Sequence, residues 1–82
     1  MITVDVLFFA SIRSLLKKKN DQIELPESAL VSDLKAELVK RYPDLERAIQ
    51  ATLTAVNQDF SNDETPLEDG DEVAFFSHVS GG

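Results

Sequence analysis

Residues 2–9, with the sequence ITVDVLFF, consist mainly of β-branched, aliphatic and aromatic side chains. Such residues favour a strand, and successive side chains of a strand point to opposite faces of a sheet. The pattern therefore predicts a first strand with a core face and an outer face. The uniformly apolar set belongs to the core face: Ile2, Val4, Val6 and Phe8. The set that includes an acidic residue belongs to the outer face: Thr3, Asp5, Leu7 and Phe9.

Residues 71–79, DEVAFFSHV, repeat this alternation after the turn residues Asp69 and Gly70 and predict the last strand. One face of this strand carries Val73 and Phe75, which we assign to the core. The other face carries Glu72, Ala74, Phe76 and His78.

The segments between these strands alternate in type. Residues 10–18 predict a short helix, in which Ile12, Leu15 and Leu16 have helical spacing, and residues 22–26 predict a short strand. Residues 32–42 predict the main helix, capped by Ser32, with an apolar stripe formed by Leu34, Leu38, Val39 and Tyr42. Residues 53–58 predict a third strand, followed by a polar loop. The order predicts an α+β fold in which one main helix packs on one face of a small mixed sheet.

The length of 82 residues predicts a single domain over residues 1–82, with about 60% of the unfolded surface buried. The net charge of −7 argues against nucleic-acid binding, although Lys17, Lys18 and Lys19 form a basic run that we interpret as a solvated loop.

The longest apolar run, residues 6–10, is too short to span a membrane, and the first residues do not resemble a signal peptide. We therefore expect a cytoplasmic protein.

Neither a metal site nor an active site is predicted. Alignment of residues 59–72 with a calcium-binding loop puts Glu64 where the loop needs glycine and Gly70 where it needs glutamate. The chain has no cysteine, and its single histidine, His78, lacks the partners that a metal or a nucleophile requires. Chemistry by this chain alone is therefore not expected.

The outer sheet face predicts a partner-binding surface instead. Phe9 and Phe76 share that face with acidic residues, and Leu7 lies on it as well. Clustered apolar side chains among polar ones usually mark a site of protein association. We expect Phe9 and Phe76 to anchor a partner, with Phe60 as a weaker candidate and Leu7 as a neighbour.

Four segments carry a resemblance to a known family: VLFFASIR at residues 6–13, AVNQ at 55–58, TPLEDGDEVAFF at 65–76 and VSGG at 79–82. Together they resemble the small subunits of molybdopterin synthase, sulfur carriers of the MoaD/ThiS type within the ubiquitin-like β-grasp family. The resemblance covers nearly the whole chain and implies the β-grasp fold. Many of these relatives have two prolines where this chain has Ser77 and His78.

The resemblance implies a function for the C-terminal tail, which we expect to be flexible over about residues 78–82. An E1-like adenylyltransferase would use ATP to activate the carboxylate of Gly82, which would then become a thiocarboxylate. The tail would enter the active site of the large synthase subunit, and Gly81, which has no side chain, would let it thread a narrow channel. The sulfur would pass to a cyclic pyranopterin precursor and form the dithiolene of molybdopterin.

The resemblance further implies a heterotetramer of two small and two large subunits, with no cofactor bound to this chain. Two alternatives remain open at this point. The chain could carry sulfur for another pathway, such as thiamine, cysteine or tRNA thiolation. It could also be a ubiquitin-like modifier or an interaction module.

Overall fold

The computed structural model describes residues 1–77; residues 78–82, with the predicted site residues Gly81 and Gly82, lie outside the described part. Five strands are formed: β1 (Ile2–Phe8), β2 (Asn20–Leu25), β3 (Thr52–Val56), β4 (Asp59–Ser61) and β5 (Glu72–Ser77). Three α-helices connect them: α1 (Ala10–Leu16), α2 (Val31–Arg41) and α3 (Glu46–Gln50), the last preceded by a 3-10 turn over Pro43–Leu45. This order confirms the predicted α+β class.

The strands form one mixed sheet in the order β2-β1-β5-β3-β4. The first and last strands are central neighbours and run parallel, with Val6 opposite Val73 and Phe8 opposite Phe75. β2 pairs antiparallel with β1, and β3 pairs antiparallel with β5. Because paired residues share a face, the register places both predicted core sets on the same side of the sheet.

The core lies between this side of the sheet and the helices. Val4, Val6, Val73 and Phe75 are all fully buried, which confirms the faces predicted from alternation. The helices contribute Ile12, Val31, Leu34, Leu38 and Ile49. No helix within residues 1–77 is long and apolar enough to cross a membrane.

The start of α2 differs from the prediction that Ser32 caps it. The helix begins one residue earlier, and Leu30 is its N-cap. The carboxylate of Asp33 accepts a hydrogen bond from the Leu30 N–H at 2.8 Å. The next two N–H groups of the chain donate to the carbonyls of Thr65 and Asp63, each at 3.0 Å. Since the loop after β4 satisfies these donors, the hydroxyl of Ser32 is not needed as a cap.

A β-hairpin lies where the sequence predicts a third strand followed by a polar loop. β3 ends at Val56, and the next two residues, Asn57 and Gln58, have φ of 51° and 72°. Two successive residues of positive φ make the turn that best matches strand twist, and asparagine tolerates this conformation. The Asn57 side chain also donates to Asp71 at 2.9 Å and accepts from the Glu72 N–H at 3.0 Å. The hairpin therefore creates β4, in a segment predicted to be part of the polar loop.

The end of α1 is set by Lys17, which has a left-handed φ of 56° and donates its N–H to the Arg13 carbonyl at 2.8 Å. Within the helix Ile12 is fully buried and Leu16 is half-buried. Leu15, grouped with them by its spacing, is 55% exposed. A helix of seven residues presents only a narrow face to the core, which excludes Leu15.

A polar cluster ties the segment after α1 to the end of α2. The Tyr42 hydroxyl donates to Asp21 at 2.9 Å, and the Lys18 ammonium donates to Tyr42 at 3.1 Å. Burial raises the pKa of Asp21, but hydrogen bonds from Tyr42 and the Gln22 N–H, with the charge of Lys18, outweigh it and hold this pKa below its usual value. The hydrogen bond to Tyr42 and the charge of Asp21 raise the pKa of Lys18. Lys18 is thus held in place by its neighbours.

Candidate functional site

No helix within residues 1–77 covers the outer face of the sheet. The pairing register brings the apolar side chains of this face together. Leu7 lies opposite Ala74 on β5, and Ala74 lies opposite Ala55 on β3. Ala55 in turn lies opposite Phe60 on β4, while Leu53 lies opposite Phe76. An apolar row therefore crosses four strands.

Phe60 and Phe76 are in contact at the edge of this row. Their ring centroids are 5.8 Å apart and the rings are tilted by 53°, a favourable geometry for an aromatic pair. Phe60 is 79% exposed, whereas Phe76 is half-buried beneath its neighbours. Phe60, which was predicted as a weaker anchor than Phe76, is thus the more accessible ring of the pair.

Phe9 joins the row from the end of β1. Its backbone is extended, with φ −126° and ψ 162°, and its N–H donates to the Phe75 carbonyl at 3.2 Å. Continuing the parallel register by one residue places Phe9 level with Phe76. Phe9 is 43% exposed. Phe9 and Phe76, predicted to share the outer face, are therefore brought side by side by the pairing of the first and last strands.

We call this group the aromatic patch and define it by five side chains: Leu7, Phe9, Leu53, Phe60 and Phe76. Leu53, which is 37% exposed, was not among the predicted residues. Its alternation with Thr52 and Thr54 could have revealed it, had a face been assigned to the third strand.

The aromatic patch occupies one end of the outer face. At the other end Asp5 lies opposite Glu72, and Gln22 donates to Asp5 at 2.9 Å. β5 is described as far as Ser77, immediately after Phe76, so residues 78–82 are attached to the chain beside the aromatic patch. A five-residue segment can reach at most about 18 Å beyond that point. The sheet thus presents an apolar surface, of the kind that binds other proteins, next to the start of the C-terminal tail.

Comparison with known proteins places these features in a family. The model of the ThiS family matches residues 6–82. The molybdopterin synthase sulfur carrier subunit of Mycobacterium tuberculosis is 37% identical over 83 residues, with 100% of each chain covered.

Solved structures agree on the fold. Small archaeal modifier protein 1 from Haloferax volcanii has a TM-score of 0.89 at 20% identity, covering 96% of this chain and 100% of that one. One chain in the complex of subunits 1 and 2 of the molybdopterin-converting factor from Helicobacter pylori has a TM-score of 0.72 at 28% identity, covering 99% of this chain and 100% of that one. The ubiquitin-like β-grasp fold expected from the resemblance is confirmed.

Proposed function

The chain belongs to the ThiS family, and we propose that it is the sulfur carrier subunit of a molybdopterin synthase. The observation that carries the proposal is the aromatic patch beside Ser77, the residue to which the tail is attached. It offers a binding surface within reach of the C-terminal residues. The full-length similarity to sulfur carrier subunits supports the pathway over the other sulfur carriers and over a protein modifier.

The reactive group in this proposal is the carboxylate of Gly82. A carboxylate has no good leaving group, so an E1-like adenylyltransferase first joins it to the α-phosphorus of ATP and releases pyrophosphate. A sulfur donor then displaces AMP and leaves a thiocarboxylate. Its sulfur is anionic at neutral pH and nucleophilic, as a cysteine thiolate would be in a chain that has no cysteine.

The aromatic patch binds the large synthase subunit in this proposal. The H. pylori structure supports such a partner, because it is a complex of subunits 1 and 2 of the molybdopterin-converting factor. Burial of the patch would supply binding energy that offsets the entropy lost when the tail becomes ordered in the partner's active site. There the thiocarboxylate sulfur would be transferred to the cyclic pyranopterin precursor, and two transfers would complete the dithiolene.

We propose in addition the assembly, the cofactor content and the location that were expected from the sequence. Two small and two large subunits form the assembly, and this chain binds no cofactor of its own. ATP is consumed by the activating enzyme, and the proposed location of the reaction is the cytoplasm.

The direct test is the intact mass of the protein after incubation with the activating enzyme, ATP and a sulfur source. We expect a mass gain that matches exchange of one oxygen atom for sulfur, located by fragmentation at Gly82. A reaction without ATP provides the control, because the carboxylate should then stay unchanged. An unchanged mass in the complete reaction would contradict the proposal.

The binding role of the aromatic patch is best tested at Phe60. Full burial of a phenylalanine contributes about 1.5–3 kcal/mol, so we expect Phe60→Ala to weaken binding of the large subunit about tenfold. Since Phe60 is 79% exposed in the free chain, the melting temperature should change little. Titration calorimetry and a thermal melt measure the two quantities.

Gln50→Ala is the matched control, because Gln50 is also exposed but lies on α3, which packs on the core side of the sheet. It should bind the large subunit as the wild-type chain does. Equal affinities for Phe60→Ala and Gln50→Ala would remove Phe60 from the binding surface.

A further inference from the structure

Positive charge is concentrated in one part of this acidic protein. The chain has 15 acidic and 8 basic residues, yet no acidic residue occurs between Asp5 and Asp21. Four of the eight basic residues fall in that interval, and we call them the basic edge: Arg13, Lys17, Lys18 and Lys19. All four are exposed, and with Ser14 they line one shallow surface depression of about 360 Å³.

The basic edge lies at the same end of the sheet as the aromatic patch. The Phe8 N–H donates to the Lys19 carbonyl at 2.9 Å, and the adjacent pair joins Leu7 of the patch to Asn20. Phe8 also lies opposite Phe75, two residues before the end of β5. The basic edge therefore borders the aromatic patch on the β1 side and stands near the start of the tail.

Internal contacts account for only one of these four cations. Lys18 pairs with Asp21 at 3.5 Å, whereas Arg13, Lys17 and Lys19 form no ion pair within residues 1–77. Lys17 also occupies a left-handed conformation, with φ 56°, in which glycine is favoured. A solvated loop needs polar residues, but its charged residues need not all be positive. Ion pairs within residues 1–77 therefore do not explain the charges of Lys17 and Lys19.

We infer that the basic edge meets an acidic surface on the large subunit and orients this chain so that its tail faces the partner's active site. This inference rests on the proposed function, since it specifies the charge of the partner that the function requires. Charges at the rim of an interface act mainly on the association rate and on its dependence on salt. A local positive field is especially selective on a chain whose net charge is −7, because the remaining surface would repel an acidic partner.

The test compares two double variants that each remove two positive charges and take the net charge from −7 to −9. Lys17→Gln/Lys19→Gln alters the basic edge. Lys40→Gln/Arg47→Gln alters exposed cations on α2 and α3, which form no ion pair within residues 1–77. Lys18 is left intact because it holds Asp21 and Tyr42 in place.

Association with the purified large subunit is measured by stopped flow from low to high salt. At low salt the basic-edge variant should associate about fivefold more slowly than the control variant, with an unchanged dissociation rate. The difference should disappear at high salt, where exposed charges are screened. Equal rates for the two variants, or faster association of the basic-edge variant, would overturn the inference.

Lys17→Gly separates charge from folding. Glycine suits the left-handed φ of 56°, so this variant should keep or raise the melting temperature while it still slows association at low salt. If Lys17→Gly associates at low salt as fast as the wild-type chain does, the inference is contradicted but the proposed function is not. If the wild-type chain itself fails to bind the large subunit, the proposed function and this inference fail together.

Discussion

Deletion of Gly82 is expected to abolish sulfur transfer to the pterin precursor and to leave the melting temperature nearly unchanged. The proposed reactive carboxylate would move back to Gly81, so its distance from the aromatic patch would shorten by one residue, up to about 3.6 Å. A displacement of this size is enough to misalign a reacting group, since small errors of position reduce rates severely. Chain termini contribute few contacts, so the fold should be insensitive to the deletion.

Addition of one residue after Gly82 should have the same effect by displacing the carboxylate in the other direction. The matched control adds one residue before Met1 instead. Because β1 and β5 are parallel, the start of β1 lies at the opposite end of the sheet from the end of β5, and this chain should remain active. Molybdopterin formation in a reconstituted assay measures the outcome. Full activity of the Gly82 deletion would show that the terminal carboxylate is not the reactive group.

A large effect on stability is expected from Leu38→Ala, which should lower the free energy of unfolding by about 2–5 kcal/mol. Leu38 is fully buried and belongs to the same core cluster as Val6, so the substitution leaves a cavity between α2 and the sheet. Domains of this size are stable by about 5–15 kcal/mol, and the loss is therefore a large share of the total. Urea unfolding of both chains at one temperature measures it.

Val39→Ala is the matched control for Leu38→Ala, since Val39 is the next residue of α2 but is only half-buried. It should lose clearly less stability because fewer contacts are removed and solvent can reach the site. Similar losses for the two variants would show that the buried face of α2 is assigned incorrectly.

The roles proposed for the tail and for the aromatic patch make different demands on the chain. The tail needs an end that can enter a narrow site, and glycine meets this demand because it has no side chain. The patch needs exposed apolar area held at a fixed place, which the sheet provides through Phe60 and Phe76. Variants of the patch should therefore change affinity, whereas variants of Gly82 should change the chemical step.

The sequence by itself determined which side chains of the outermost strands enter the core. The alternation of β1 and β5 predicted that Val4, Val6, Val73 and Phe75 are buried, and all of them are. Side-chain alternation is a local property of an extended chain, so neighbouring residues carry enough information to predict it. The stripe with Leu34 and Leu38 on α2 was predictable for the same reason.

The starts and ends of some elements depended on distant residues. The first residue of α2 was missed because carbonyls of Asp63 and Thr65, from a loop far along the chain, satisfy its N–H groups. β4 was missed because Phe60 stands between the polar residues Asp59 and Ser61, and a strand of three residues has too few positions to show a pattern.

Only the tertiary structure decided which outer-face residues meet. The parallel pairing of β1 with β5 sets Phe9 beside Phe76, and the β3–β4 hairpin brings Phe60 to 5.8 Å from Phe76. Leu53 and the basic edge are added to the same end of the sheet by pairings of β3 and β2. These positions result from hydrogen bonds between strands that are remote in sequence, and the register of such strands depends on the packing of the whole sheet against its core.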